Sequence, residues 1–327
     1  MKGEEPMSAQ DDRIKAMKFQ HPEFIPVGVG ILPAAWKLHR EKLDEILARH
    51  PAIFGEVKIG ERDYDKVSGL YVTGRHVDPW GYVWENVCEG MDAYPAVHNV
   101  PTRADVHTLK APEVHDGMPH GFMYMRLFYL RGFEELMLDF AEEPPELQML
   151  IDIVLDYNVR ELEYKIQKEG PGEKFVYFGD DLGMQHALPM GPYKWRKYLK
   201  PCFMKLYRRC KEVGWWVYMH TDGHCWEIIP DLKECGVDVI NPQFRANGLD
   251  NLVLTCKGNI CVNLDLDRQM MPFVGPAELD AHIRECVSRL GTPEGGLWIT
   301  AEIGPDVPLE NVEAICAALE KYRAYFR

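Results

Sequence analysis

Short apolar segments alternate with amphipathic helices throughout the second half of the chain, and this alternation restricts the fold more than any other feature. Five segments have strand character, and a helical pattern follows after a few polar residues. They cover residues 175–178, 215–219, 237–240, 260–264 and 297–300. A helix between two strands returns the chain to the same edge of a sheet, so such strands pair in parallel. The sequence therefore predicts an α/β fold on a parallel sheet.

The first third of the chain has a different pattern. Residues 1–20 are polar and predict a flexible N-terminal arm, whereas residues 25–31 and 34–49 predict a first strand and a first helix. Residues 69–73 and 80–84 alternate in the manner of hairpins and predict a small β insertion near the mouth of a barrel. Because no repeat or long linker divides the rest, residues 21–327 are expected to form a single domain.

Composition argues against several classes of function. The formal net charge of -14 gives no basic face for phosphates, so nucleic acid is not expected as a partner. No run of about eighteen apolar residues occurs, and the charged N-terminus lacks an apolar signal core. The nine cysteines lack the paired spacing of a zinc ribbon and suit a reducing compartment. We therefore expect a cytoplasmic protein that does not use a membrane.

Polar side chains cluster where the apolar segments end. The acidic and histidine residues at these positions include Asp180, Asp181, His220, Asp222 and Glu302. An α/β sheet or barrel places its chemistry at the carboxyl ends of parallel strands, so these side chains are candidates for one functional site.

Structural roles remain open for several of the same residues. Asp222 could cap the helix that follows it, because aspartate is a favoured N-cap residue. Asp180 and Asp181 could brace a loop. His220 could be a hydrogen-bonded histidine of the core, although its position at a strand end favours a functional role.

Four motifs carry a resemblance to a known family. They are residues 179–183 (GDDLG), residues 198–201 (YLKP), residues 220–223 (HTDG) with the later Asn241 and Pro242, and residues 295–311. Together they resemble the uroporphyrinogen decarboxylase superfamily over residues 20–325. The resemblance implies a single (β/α)8 TIM barrel with a deep mouth. It leaves several activities open, since the superfamily includes the decarboxylase and zinc-dependent methyltransferases that serve corrinoid proteins.

Departures from the family patterns help to choose a branch. The Arg-Gln-Ala-Gly-Arg signature of the decarboxylase, whose cations suit a carboxylate-rich porphyrinogen, is absent around residues 28–36. In the methyltransferases, a His-x-Cys pair and a later cysteine hold zinc. Here His220 and Asp222 occupy the first position, and Glu302 stands in the region of the last ligand. The resemblance thus implies a metal set of His220, Glu302 and Asp222.

Carboxylates in place of thiolates change the expected chemistry. Zinc beside two thiolates suits activation of a thiol, whereas a histidine and carboxylate set leaves a harder ion that polarises oxygen. The implied methyl donor is therefore bonded through oxygen. Because a phenolate leaves far more readily than an alkoxide, an aryl methyl ether is the predicted substrate.

The predicted substrate pocket combines apolar walls with a few polar groups. Met184 and His186 fall in the loop after the segment 175–178, and Trp80 lies in the β insertion. The residues predicted to bind substrate are Asp180, Met184, His186, Trp80 and Tyr193. The residues predicted to act in catalysis are His220, Asp181 and Asp222.

These features favour the methyltransferase component of an O-demethylase. Such an enzyme would move a methyl group from a small aryl methyl ether to the cobalt of a corrinoid, with His220 acting through zinc or as a proton donor. No Asp-x-His-x-x-Gly signature occurs, so a separate corrinoid protein is the expected partner and carrier of the cobalamin. Two alternatives stay open: a decarboxylase-like enzyme that uses Asp180, Asp181 and Arg268, and a non-catalytic protein that binds a tetrapyrrole or a small aromatic.

Overall fold

The computed structural model of the protein describes residues 7–115, 118 and 120–327. Within these residues the strands are β1 (Val27–Ile31), β2 (Gly74–Val77), β3 (Val83–Asn86), β4 (Tyr94–Val97), β5 (Lys174–Gly179), β6 (Trp215–Thr221), β7 (Val237–Pro242), β8 (Cys261–Asp265) and β9 (Leu297–Ile303). The α-helices of the same residues are α1 (Met7–Met17), α2 (Pro33–His39), α3 (Glu41–Ala48), α4 (Pro51–Phe54), α5 (Tyr124–Arg131), α6 (Phe133–Glu142), α7 (Pro145–Glu169), α8 (Gly191–Lys194), α9 (Lys200–Glu212), α10 (Ile229–Cys235), α11 (Phe244–Asn247), α12 (Leu249–Cys256), α13 (Pro276–Leu290) and α14 (Leu309–Tyr322).

The chain forms two compact units, each assembled from separate segments. The first unit contains the described part of Met1–Thr73 together with Asn86–Asp92 and Pro242–Arg327. The second unit contains Gly74–Glu85 and Ala93–Asn241. The expectation of one domain over residues 21–327 stays a prediction.

Three parallel strands form the framework of the first unit, with β9 between β1 and β8. Helices α13 and α14 pack against each other, and α14 also contacts β1 and β9. Leu264, Ile299 and Ala301 are buried in these strands. Parallel strands need cover from helices, so such strands read as apolar runs.

The second unit places the ends of two strands side by side. Strand β6 lies between β5 and β7, and β5 runs parallel to β6. Their register sets Gly179 opposite His220, so the polar residues that follow β5 lie next to the end of β6. Helix α9 packs on β6 and against α7 and α10. The β insertion consists of the short sheet β2-β3-β4, in which β3 and β4 are antiparallel.

The predicted elements of the second half are confirmed, with changes at their ends. Helix α13 begins and ends at Pro276 and Leu290, as expected. Strands β6 and β9 each run further than the apolar pattern indicated, to Thr221 and Ile303. His220 and Glu302 therefore lie within strands, which fixes their side-chain directions.

Two predictions in the first third were wrong. The helix expected over residues 34–49 is divided into α2 and α3 at Arg40, whose backbone φ of 50° is incompatible with a continuing right-handed helix. Residues 69–73 were expected to form a strand, but Gly69–Tyr71 forms a 3-10 turn.

Part of the N-terminal segment, for which a flexible polar arm was expected, forms a helix. Helix α1 covers Met7–Met17, and Ala16 and Met17 are buried. The backbone N–H of Gly296 donates a hydrogen bond to the carbonyl of Ala16 at 2.8 Å. The end of the predicted arm is therefore packed within the first unit, while residues 1–6 lie outside the described residues.

None of the helices in the described ranges has both the length and the hydropathy required to cross a bilayer.

Candidate functional site

Two histidines and one aspartate converge in the second unit. The Nε2 atom of His120 lies 3.2 Å from Oδ1 of Asp181, and Nε2 of His220 lies 3.7 Å from the same oxygen. One ligand atom from each residue falls within 4.8 Å of the other two. Among the described residues, this is the one group of three or more histidine, cysteine or acidic side chains with such spacing.

The hydrogen bond to Asn241 fixes the orientation of the His220 ring. The Nδ1 atom of His220 lies 2.7 Å from the side-chain oxygen of Asn241, which extends from the neighbouring strand β7. An amide oxygen only accepts hydrogen bonds, so Nδ1 carries the proton and donates. In the neutral ring, Nε2 therefore carries the lone pair and is available as a ligand, 3.3 Å from Asp222 and 3.7 Å from Asp181.

Hydrogen bonds from backbone N–H groups to side-chain oxygens join the ends of β5 and β6 and hold Asp181 in place. The Asp222 N–H donates to Oδ1 of Asp181 at 3.0 Å, and the Leu182 N–H donates to Oγ1 of Thr221 at 3.0 Å. Gly183 and Gly223 bring the two loops into direct backbone contact. A Cβ atom on Gly223 would lie 2.1 Å from the carbonyl oxygen of Gly183, so a side chain at position 223 would force the two loops apart.

The imidazole of His120 reaches the site across Gly179. A Cβ atom built on Gly179 would lie 2.1 Å from Cδ2 of His120, which means that the ring occupies the space of the missing side chain. The Gly121 N–H donates to the Gly179 carbonyl at 2.7 Å and anchors the segment that carries His120. A glycine inside a strand often marks such a close approach.

Hydrogen bonds and charges among His120, Asp181 and His220 shift the pKa values of these residues. Burial lowers the pKa of His220, but hydrogen bonding and charge from Asp222 and Asp181 outweigh it and raise the pKa to about 9. Burial also lowers the pKa of His120, but the hydrogen bond to Asp181 outweighs it, so the pKa is raised. Burial raises the pKa of Asp181, yet the two histidines hold it below its usual range. In the absence of a metal, the group is thus an aspartate beside protonated imidazole.

Comparison with family models identifies the chain. A model described as uroporphyrinogen decarboxylase (URO-D) matches residues 123–322, which is more than half of the 327 residues. The chain belongs to the uroporphyrinogen decarboxylase family. The match includes Asp181 and His220 but begins after His120. Among curated proteins, no relative matches the sequence.

A solved structure supports the fold of this uroporphyrinogen decarboxylase family member. A methyltransferase from Methanosarcina mazei is similar to 96% of this chain and 98% of its own, with a TM-score of 0.61 and 15% sequence identity. At such an identity the likeness concerns the fold. The predicted fold class, an α/β (β/α)8 barrel of the uroporphyrinogen decarboxylase type with a β insertion, is confirmed.

Asp180 has a structural environment that differs from the predicted substrate contact. Its side chain is buried, and its two oxygens accept hydrogen bonds from the backbone N–H groups of Tyr124 and Met125 at 2.6 and 2.9 Å. Burial raises the pKa of Asp180 to about 7, although these N–H groups oppose the rise. Asp180 therefore holds the first turn of α5, a few residues after His120, rather than facing a substrate.

The family resemblance implied that Glu302 is a metal ligand. In the structure, Glu302 forms an ion pair with Arg268 in the first unit. Arg268 donates to Oε1 of Glu302 and, through its Nε, to Asp265 at 2.7 Å. The structure gathers His120 with Asp181 and His220 within the second unit. Asp222 remains adjacent to the group, since its Oδ1 lies 3.3 Å from Nε2 of His220.

The other predicted substrate residues divide into exposed and buried sets. Met184 and His186 are exposed in the loop after β5, and Tyr193 is exposed on α8. Trp80 is buried and packs edge-on against Tyr157, with ring centroids 4.9 Å apart. Its burial in the core argues against the predicted contact with a substrate.

Proposed function

We propose that this protein is a methyltransferase that moves a methyl group from a small aryl methyl ether to the cobalt of a corrinoid held by a partner protein. The convergence of His120, Asp181 and His220 carries the proposal. Two imidazoles and one carboxylate are harder ligands than thiolates, so they suit a substrate that binds through oxygen. The methyltransferase of similar fold supports the class of reaction.

The donor set fits zinc. Zinc bonds of roughly 2.0–2.1 Å in a tetrahedron put neighbouring ligand atoms roughly 3.3 Å apart. The separations of 3.2 Å and 3.7 Å from Asp181 Oδ1 to the two imidazoles lie close to this spacing. Three protein ligands are the number that leaves one position for a substrate or water, and the bond from His220 to Asn241 supplies the usual outer partner.

The protein's own groups would orient the donor and manage charge on its oxygen. When bound, zinc would supply a Lewis acid for the negative charge that develops as the phenolate leaves. His220 Nε2, with Asp222 beside it at 3.3 Å, lies where this oxygen would approach. Without a metal, the raised pKa keeps a proton on His220 near neutral pH, and Nε2 would donate it to the oxygen.

A corrinoid would have to come from outside the chain. The sequence lacks an Asp-x-His-x-x-Gly signature, so we propose that the cofactor arrives on a corrinoid protein. Reduced cobalt on that partner supplies the nucleophile that accepts the methyl group. A decarboxylase-like reaction receives less support, because the cation assigned to it, Arg268, already binds Asp265 and Glu302.

The direct test combines metal analysis with single-turnover methyl transfer. Purified protein is assayed for zinc, and then mixed with reduced cobalamin and methoxyphenols while the cobalt spectrum is recorded. The proposal expects methylated cobalt and a stoichiometric phenol product. Absence of methyl transfer from every ether, with either cobalamin or a purified corrinoid protein, would refute it.

Gly179→Ala is expected to reduce zinc affinity about 10- to 100-fold, although no ligand is changed. The new methyl group would occupy the position of the His120 ring and displace it from Asp181. Zinc competition titrations measure the effect, and circular dichroism checks the fold. Gly28→Ala is the matched control, since its added Cβ would have no neighbour closer than 3.9 Å. Equal zinc affinity in both variants would show that His120 is not a ligand.

His220→Ala is expected to make methyl transfer more sensitive to the acidity of the departing phenol. The variant loses the group that stabilises the leaving oxygen, so weakly acidic phenols should slow the reaction more than they do in the parent. Single-turnover rates with a series of substituted aryl methyl ethers give the two slopes. His107→Ala, which changes an exposed histidine of the same unit, serves as control. Identical slopes for parent and His220→Ala would contradict this role.

A further inference from the structure

The surface of β5 and β6 that bears the candidate site also bears four aromatic rings. Side chains alternate between the two faces of a strand, so Phe175 and Tyr177 share a face with Gly179. Trp216 and Tyr218 share a face with His220 in the same way. We call this surface, which consists of residues 175, 177, 179, 216, 218 and 220, the site face.

The position of His120 shows that the His120–Asp181–His220 group lies over the site face. The Cβ direction of Gly179 meets the His120 ring, and Tyr177 points to the same side because it precedes Gly179 by two residues. The strand register pairs Tyr177 with Tyr218 and Gly179 with His220. Two tyrosines thus form the layer directly next to the histidines.

The two tyrosine rings form a joint aromatic surface. Their centroids are 5.1 Å apart, and the ring planes differ by 50°. Phe175 and Trp216 make a similar pair in the layer below, with centroids 5.1 Å apart. Tyr177 is 48% exposed, whereas its neighbours Val176 and Phe178 on the other face are 4% and 2% exposed. The site face therefore presents an accessible ring to a ligand, while the opposite face belongs to the core.

We infer that Tyr177 and Tyr218 bind the aromatic ring of the methyl donor and place its ether oxygen at the His120–Asp181–His220 group. This assignment rests on the proposed function. Two residues along a strand span roughly 7 Å, a spacing that one substituted benzene ring bridges. The His120–Asp181–His220 group lies at the carboxyl end of β5 and β6, so the donor's ring lies deeper along the strands and its methoxy group lies at their end.

The chemistry of the surface favours aromatic over aliphatic donors. Aromatic rings attract one another in offset or edge-to-face arrangements, and the tilted tyrosine pair offers both a face and an edge. An aliphatic ether of equal size lacks this interaction. Tyr177 and Tyr218 are therefore assigned as determinants of specificity, while His120, Asp181 and His220 are assigned to the oxygen.

The test is direct binding of 2-methoxyphenol, measured by titration calorimetry in the purified full-length protein. Tyr177→Ala and Tyr218→Ala are each expected to weaken binding about tenfold, and Tyr177→Phe, which keeps the ring, is expected to retain the parent affinity. Tyr164→Ala, an exposed tyrosine on α7, is the control. Thermal unfolding identifies a variant that fails to fold, and Tyr177→Leu, which keeps apolar bulk without a ring, then replaces Tyr177→Ala.

The outcomes separate this inference from the proposed function. Unchanged affinity in both alanine variants would refute the binding role of Tyr177 and Tyr218, even if the parent protein demethylates aryl ethers. Weakened binding in these variants with retained binding in Tyr177→Phe would support the surface even if no methyl reached cobalt, in which case only the proposed reaction fails. No binding of the methoxyphenol to the parent would overturn the inference. If methyl transfer were then found from a non-aromatic donor, the protein would still be a methyltransferase, but the proposed aryl ether substrate would be wrong.

Discussion

Asp181→Ala is expected to remove detectable zinc binding and to slow methyl transfer about 10²- to 10³-fold. Its Oδ1 atom faces both imidazoles, at 3.2 Å from His120 and 3.7 Å from His220. Loss of this carboxylate leaves two histidines without a shared anion, which disfavours both a bound cation and a proton on either ring. Zinc content by elemental analysis and the single-turnover rate with cobalamin measure the two effects.

The controls separate loss of charge from loss of structure. Asp181→Asn keeps the size of the side chain and its capacity to accept the Asp222 N–H, but it removes the negative charge. We expect it to resemble Asp181→Ala in zinc content and activity. Asp156→Ala removes an exposed carboxylate of α7 and is expected to behave as the parent. Full zinc occupancy in Asp181→Asn would contradict the assignment of Asp181 as an anionic ligand.

Gly223→Ala is expected to lower the free energy of unfolding by about 2–5 kcal/mol. The backbone φ at Gly223 is +79°, which disfavours a side chain, and the added Cβ would lie 2.1 Å from the backbone oxygen of Gly183. Backbone atoms cannot yield as a flexible side chain does, so the loops that carry Asp181 and Asp222 would have to separate. Equilibrium denaturation by urea measures the change.

Gly258→Ala isolates the part of this cost that comes from backbone conformation. Gly258 has a φ of +68° and no atom within 4 Å of its virtual Cβ, so its replacement is expected to cost only about 1–2 kcal/mol. The difference between the variants reports the contact between Gly183 and Gly223. Equal destabilisation would mean that the two loops do not depend on this contact.

Sequence patterns located the strands well because their physical cause is local. The apolar runs of β5 and β6 are set by burial against helices, and each run is readable from consecutive residues. Asp181 and His220 were predicted as catalytic residues because they stand where these runs end. The break between α2 and α3 was missed, since nothing in the local pattern demands a positive φ at Arg40.

The third member of the group could not be read from the pattern. His120 lies 61 residues before Asp181 and precedes a helix, so no strand end marks it. The available signal was Gly179, a glycine at the end of an otherwise bulky strand, which indicated that something approaches closely there. The identity of the approaching group depends on the fold of residues far away in the chain.

Family position does not tell which side chains Glu302 contacts. Its place on the last strand matched the region of a metal ligand, but the pairing with Arg268 is determined by side chains brought together within the first unit. Likewise, tryptophan is a residue type that often lines pockets, yet packing against Tyr157 places Trp80 in the core. Residue type and spacing do not distinguish these outcomes, because burial is a property of the assembled structure.

The sequence by itself determined the α/β class, the family and the two strand ends that carry Asp181 and His220. Periodic burial of apolar side chains is a local requirement, so it leaves a readable record along the chain. The tertiary structure alone decided that His120 completes the group and that Tyr177 and Tyr218 share its face. These relations arise from strand register and from the space above Gly179, and both are fixed by contacts between residues distant in sequence.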